Sequence, residues 1–198
     1  MTTRRVLLQG LTVGIAAMTV PMRALALDSG VAEGHVEATV AELLSIVRGG
    51  GNDRAKADAL KQVMQARAAM PQIARFVAGR SWRDMSNVQQ AAFGKALLHS
   101  VSTIYARRFQ AYAGETITLG GSTDEGRKGI LVRSQVSQTS GSPVLVEWLV
   151  TDRPGRVVIA DIVIEGVSLL LTQRDEVAGM LSSRGGDIDR LIADLNAV

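Results

Sequence analysis

The stretch Val157–Arg174, VVIADIVIEGVSLLLTQR, constrains the fold more than any other part of the chain. It opens as a β-branched apolar run, the composition that fits a pleated surface with at least one buried face. Gly166 then tolerates backbone angles that end a strand, and the Ser168 hydroxyl is placed to cap a following helix. In strict alternation Val158, Ala160, Ile162 and Ile164 face one way, and Val157, Ile159, Asp161, Val163 and Glu165 face the other. Both faces are largely apolar, whereas an antiparallel sheet normally keeps one face wet. The strand therefore lies between two layers, or turns one face toward something greasy that is not protein.

The preceding segment has the same two-residue period. It predicts strands over about 116–119, 129–138, 144–151 and 155–166, with turns at Gly120–Gly121, 141–143 and 152–155. Strands joined so tightly form an antiparallel meander. In the third, Val144, Val146, Trp148 and Val150 share one face and Leu145, Glu147 and Leu149 the other, so this strand too is apolar on both sides.

Helices occupy the rest. Val36, Val40, Leu43, Leu44 and Val47 form one stripe of a helix ending at Gly49–Gly51, a connection rather than a phosphate loop because no GK[ST] follows it. A second helix is expected over about 53–70, and Pro71 opens a third at its first turn. Ser86 and Gln89 form a capping box for the longest helix, about 25 residues, with Phe93, Leu97, Val101, Ile104, Tyr105, Phe109 and Tyr112 on one broad face. A helix from Ser168 to about Ser182 and a short amphipathic one through Ile188, Leu191, Ile192 and Leu195 close the chain.

The first 26 residues read as an export signal. Arg4 and Arg5 ahead of Val6, Leu7 and Leu8 give a twin-arginine start. The apolar region to Val20 is too short and too interrupted to span a bilayer, and Ala24-Leu25-Ala26 predicts cleavage before Leu27. The expected organisation is a signal peptide over 1–26 and one domain over 27–198, in the periplasm. Of the chain's 22 Lys and Arg, Arg4, Arg5 and Arg23 lie in the signal, leaving 19 basic against 19 acidic residues. The mature protein is formally neutral, and nothing in its charge calls for nucleic acid. With no cysteine, its fold rests on core burial alone.

The search for chemistry returns little. Only His35 and His99 are present, too few for the usual metal constellations, and no nucleophile elbow, dinucleotide fingerprint or Walker loop appears. His99 reads as structural or solvent-facing. Asp161 and Glu165 share a strand face, but partnership with Arg174 or another helix cation explains them better than acid–base catalysis. No catalytic residue, metal or cofactor is expected.

The run from Trp82 through NVQQAAFGKALLHSVSTIYARRFQAY, the meander, the segment Asp161–Ser168 of pattern DxxxEGxS, Arg174 and the terminal GD-I-D-x-L-I-x-x-L resemble the MlaC, or toluene-tolerance, family. The resemblance covers nearly all of the mature chain. The family usually carries aromatics just before that arginine and three residues after it, where this chain has Gln173 and Val177.

The resemblance implies an α+β fold: several helices packed on a curved four-stranded antiparallel sheet, enclosing an apolar cavity for the acyl chains of a phospholipid. It implies a periplasmic carrier, bound phospholipid as its cargo, that shuttles lipid between an outer-membrane lipoprotein complex and an inner-membrane ABC transporter with an MCE-domain subunit. A monomer is expected. Periodicity and the resemblance together nominate Trp82, Phe93, Leu97, Val101 and Tyr105 on the helix side of the cavity. On the sheet side they nominate Val132, Val146, Trp148, Ile162, Ile164 and Val167. Two other readings remain: a carrier of another greasy ligand, as in hopanoid-associated relatives, and a small enzyme using Asp161, Glu165 or His99. Catalytic carboxylates would point into the cavity; a carrier would keep its interior almost free of charge.

Overall fold

In the computed structural model the residues described are 27–108, 114, 116–138, 141–152 and 155–198. The predicted signal peptide, and Phe109 and Tyr112 of the face predicted for the long helix, lie outside them. Helices α1 (Ser29–Arg48), α2 (Asp53–Arg67), α3 (Met70–Ala78) and α4 (Asn87–Arg108) lead into strands β1 (Ile117–Asp124), β2 (Ile130–Val136), β3 (Val144–Asp152), β4 (Val157–Ile164) and β5 (Val167–Ser168). Helices α5 (Leu169–Ser183) and α6 (Ile188–Asn196) follow.

The helix starts are where capping chemistry puts them. Asp28, Asn52, Ser168 and Asp187 each accept a backbone N–H three residues on, satisfying a donor that the first turn leaves without a partner. At α4 the capping box is complete: Gln89 N donates to Ser86 Oγ at 3.2 Å and Ser86 N to Gln89 Oε1 at 3.0 Å.

The sheet is an antiparallel meander in the order β1-β2-β3-β4-β5. It has five strands where four are expected. The extra one is the two-residue β5, folded back on β4 through a tight turn at Glu165 and Gly166, both with positive φ. Gly120 and Gly121 are not a turn. They lie within β1, where the pairing with β2 shifts register between Leu119 and Ser122, and the chain reverses later, at 125–129. Glycines serve an irregularity in an edge strand as readily as a turn.

A second irregularity matters more. Leu149 pairs with Asp161 and Val150 with Ile159, so Ala160 is an extra residue in β4. The bulge inverts the alternation, and Ile159 shares a face with Ile162 and Ile164 instead of opposing them.

Two hydrophobic clusters result. Phe93, Ala96 and Leu97 of α4 pack with Ala74 and Val77 of α3, Val177 of α5, and Leu191 and Leu195 of α6. Ala32, Val36 and Val40 of α1 pack on Ile130, Val132, Val146, Trp148, Val150 and Ile159 of the sheet. The first cluster is helix on helix and the second helix on sheet, and a cavity lies between them.

Candidate functional site

A cavity of about 310 Å³ occupies this seam. The sheet contributes Val146 and Trp148 from β3 and Ile159, Ile162 and Ile164 from β4. The helical side contributes Ile73 and Val77 from α3, Leu97, Val101 and Tyr105 from α4, and Leu169 and Leu170 from α5. Leu43 and Leu44 of α1 and Leu60, Val63 and Met64 of α2 complete the wall. The sheet brings β3 and β4 together in register, Val146 opposite Ile164 and Trp148 opposite Ile162, so four apolar side chains form one continuous patch.

The wall has an exposure gradient. Arg48, Gly114 and Gln138 are exposed, while the other residues around the cavity are half-buried or buried. Arg48 ends α1, Gly114 precedes β1 and Gln138 follows β2, which marks that end as the mouth.

Among the described residues, three charged ones line the cavity: Arg48, Arg67 and Asp161. Arg67 is ion-paired with Glu42 of α1. That hydrogen bond holds the Glu42 carboxyl below its ordinary pKa and raises that of the guanidinium. Asp161 accepts the Ser168 hydroxyl at 2.6 Å and the backbone N–H groups of Ile162 and Leu170 at 2.8 and 3.0 Å. Both are tied into the wall by these partners. The expected pairing of Asp161 or Glu165 with Arg174 does not form. The Arg174 guanidinium stands 4.8 Å over the Phe76 ring, and Glu165 accepts from Leu145 N.

Of the side chains nominated from sequence, Leu97, Val101, Tyr105, Val146, Trp148, Ile162 and Ile164 meet around the cavity. Four lie elsewhere. Phe93 is buried in the helical cluster, Trp82 packs against that cluster, Val132 is buried beneath α1, and Val167 is exposed on β5. For Phe93, Trp82 and Val132 the cause is plain: an apolar pattern does not say whether protein or a void covers it; Val167, just past the Glu165–Gly166 turn, faces solvent instead. The α2 contribution was missed, although Leu60, Val63 and Met64 carry the three- and four-residue spacing of a packed stripe.

Another depression, of about 390 Å³, lies between α5 and α6 around Ser183, Arg190 and Ala193. These three residues are exposed, and the Arg184–Asp194 ion pair crosses its floor, so it is a solvated surface crevice. Among the described residues no three His, Asp or Glu side chains gather as metal ligands, and no helix is long and apolar enough to cross a membrane.

The family described as MlaC protein matches residues 37–197. No curated protein matches. Among solved structures the chain is similar to the phospholipid-binding protein from Ralstonia solanacearum, solved in complex with a phospholipid. The identity is 24%, the match covers 84% of this chain and 95% of that one, and the TM-score is 0.66. That likeness establishes a shared fold.

Proposed function

Because the chain belongs to the MlaC family, we propose that it is a phospholipid-binding carrier of the periplasm, exported there by a twin-arginine signal over 1–26 that is then cleaved near Ala26. The observation that carries this reading is the seam cavity, with apolar walls from both clusters and a polar mouth at one end. An amphiphile with its chains inside and its head group at the mouth matches that polarity.

The cavity is at the lower end of the roughly 300–1,000 Å³ range of small-molecule sites, so a two-chain lipid requires it to widen. Widening would come from drawing the helical cluster away from the α1–sheet cluster, against the bonds that tie Asp161 of β4 to Ser168 and Leu170 and Ile159 of β4 to Ala69. The wall residues we assign to lipid contact are Leu97, Val101, Tyr105, Val146, Trp148, Ile162 and Ile164, joined by Ile159 and the α2 stripe.

Binding by this wall needs no covalent chemistry. Burial is worth about 0.8 kcal/mol per CH₂, so a pair of acyl chains does not escape to water unaided. Hand-over takes place in contact with partners, which we take to be an inner-membrane ABC transporter with an MCE-domain subunit and an outer-membrane lipoprotein complex. The test is native mass spectrometry of the exported protein with lipid identification. One glycerophospholipid per chain is expected; delipidated protein that takes up no labelled phospholipid from vesicles, even with the transporter present, would end this reading.

A further inference from the structure

Helix α2 packs along α4 and puts Leu60, Val63, Met64 and Arg67 into the cavity wall. Its two ends are held by different means. The start follows the exposed Gly49–Gly51 link and is fixed by near neighbours, the Asn52 cap and the Lys56 ammonium 3.4 Å from the Val47 carbonyl. The end is gripped from across the seam. A helix leaves its last four carbonyls without partners in its own turns. Here Met64 O accepts from Ala68 N at 2.9 Å, and the Arg156 guanidinium donates to Gln65 O at 2.9 Å and also to Ala66 O. Arg67 O lies 3.1 Å from His35 Nε2, the Arg67 guanidinium pairs with Glu42, and Ala69 N donates to Ile159 O at 2.9 Å. Apart from Ala68, these partners stand on α1, on β4 or directly before β4, whereas the chain runs on from Ala69 into α3 of the helical cluster.

The seam is thus crossed by ties of two kinds. Asp161 bonds to Ser168 and Leu170, which follow it by 7 and 9 residues, so the short connection keeps β4 and α5 neighbours whether or not those bonds hold. The bonds at the end of α2 join residues remote in sequence, 25 apart for Arg67 and Glu42 and 91 apart for Gln65 and Arg156. Once they part, no short connection holds the two surfaces together. Resting on the carrier reading, we propose that the end of α2 is a latch on the cavity: its release lets the α2–α3 side of the wall move away from β4, and that opening sets the rate at which lipid enters and leaves. The groups that part are suited to reversible release. Arg156 is exposed and His35, Glu42 and Arg67 are half-buried, so water can take the place of each partner while the latch is open.

The chain has no cysteine of its own, and Ala68 pairs with Ile159 as an isolated β-bridge, so Ala68→Cys with Ile159→Cys places a single disulfide across the latch. Mature protein loaded with fluorescent phosphatidylglycerol is mixed with unlabelled phosphatidylglycerol vesicles, and the rate of transfer is followed. The oxidised double variant should transfer lipid about tenfold more slowly, or slower still, than the same protein reduced, as expected where opening limits exchange. Arg156→Gln should transfer about threefold faster than wild type, the scale of an exposed charge-assisted contact. Arg184→Gln, which breaks the surface pair with Asp194 of α6, should leave the rate unchanged. Equal rates in oxidised and reduced protein, with the disulfide verified by mass, overturn the proposal. So does a wild-type rate in Arg156→Gln, or an equal acceleration by Arg184→Gln, which would mark general loosening rather than a latch. A wild type that takes up no labelled lipid strikes the carrier reading, and the latch with it, so the two failures are distinguishable.

Discussion

The indole nitrogen of Trp148 donates to the Ser134 hydroxyl at 2.9 Å, and that hydroxyl donates to the Val146 carbonyl at 3.1 Å. Trp148 and Ser134 are both buried, so this relay fixes the ring that forms part of the cavity wall while leaving no polar atom unmet. Ser134→Ala strands the indole N–H and should cost about 1–3 kcal/mol, read from urea unfolding. Trp148→Phe with Ser134→Ala removes both ends of the bond and should cost less than the two single changes added together. Strict additivity would show that the bond contributes nothing.

Much of this architecture is legible in the chain. The capping box at Ser86 and Gln89, the glycine stop after α1 and the strand–turn–helix passage through Gly166 and Ser168 are local devices whose partners lie within a few residues. What escapes is non-local. Ala160 carries no mark that makes it a bulge; the extra residue exists only because Leu149 pairs with Asp161 while Val150 pairs with Ile159. Phe93 and Leu97 lie one turn apart on the same face of α4, yet Phe93 meets only packed protein and Leu97 reaches the void. Hydrophobic spacing registers burial in both cases and cannot tell a core from a wall.

Acid should loosen the α1–α2 contact. His35 Nε2 lies 3.1 Å from the Arg67 carbonyl. Burial lowers the pKa of this ring from its ordinary 6.5, with the nearby Arg67 and Arg156 charges adding to the effect and the bond to the carbonyl opposing it. Glu42 is lowered from 4.5, chiefly by its hydrogen bond from Arg67. In both cases the folded pKa lies below the unfolded one. Their stabilisation is thus complete above the unfolded value and lost as pH falls through the folded one. The melting temperature should fall as pH drops below about 6.5, and again below about 4.5. His35→Gln keeps a donor for the Arg67 carbonyl but cannot titrate, so it should flatten the first decline and leave the second. An unchanged slope between pH 7 and pH 5, roughly the range in which histidine titrates, would remove His35 from this account.

Gly129, which joins the 125–129 turn to β2, admits no side chain. Its φ is +121°, and a Cβ there would stand 2.1 Å from the Val150 carbonyl oxygen and 2.9 Å from Thr151 Cγ2. Gly129→Ala therefore combines backbone strain with a clash against β3 and should cost about 2–5 kcal/mol. Gly121 also has positive φ, +87°, but nothing lies within 4 Å of its Cβ position, so Gly121→Ala should cost only the strain, about 1–3 kcal/mol. Equal losses in denaturant unfolding would mean that the close approach to Val150 does not persist in solution.

Wall and core can be separated by what a charge does to each. Ile164 lies half-buried against the void, opposite Val146, and an aspartate there can draw water into the cavity. Ile164→Asp should give a folded protein, by circular dichroism, whose retained lipid falls by tenfold or more, about 1.4 kcal/mol or greater. Phe93 is fully buried among helix side chains. Phe93→Ala should cost about 3–5 kcal/mol of stability, and Phe93→Asp, which strands a charge in the packed helical cluster, should prevent folding. Val163 is the control, since it pairs with Glu147 on the opposite side of β4 from Ile164. Val163→Asp should leave lipid retention near the wild-type level. If Ile164→Asp unfolds the protein while Val163→Asp releases the lipid, the void has been assigned to the wrong face of the sheet.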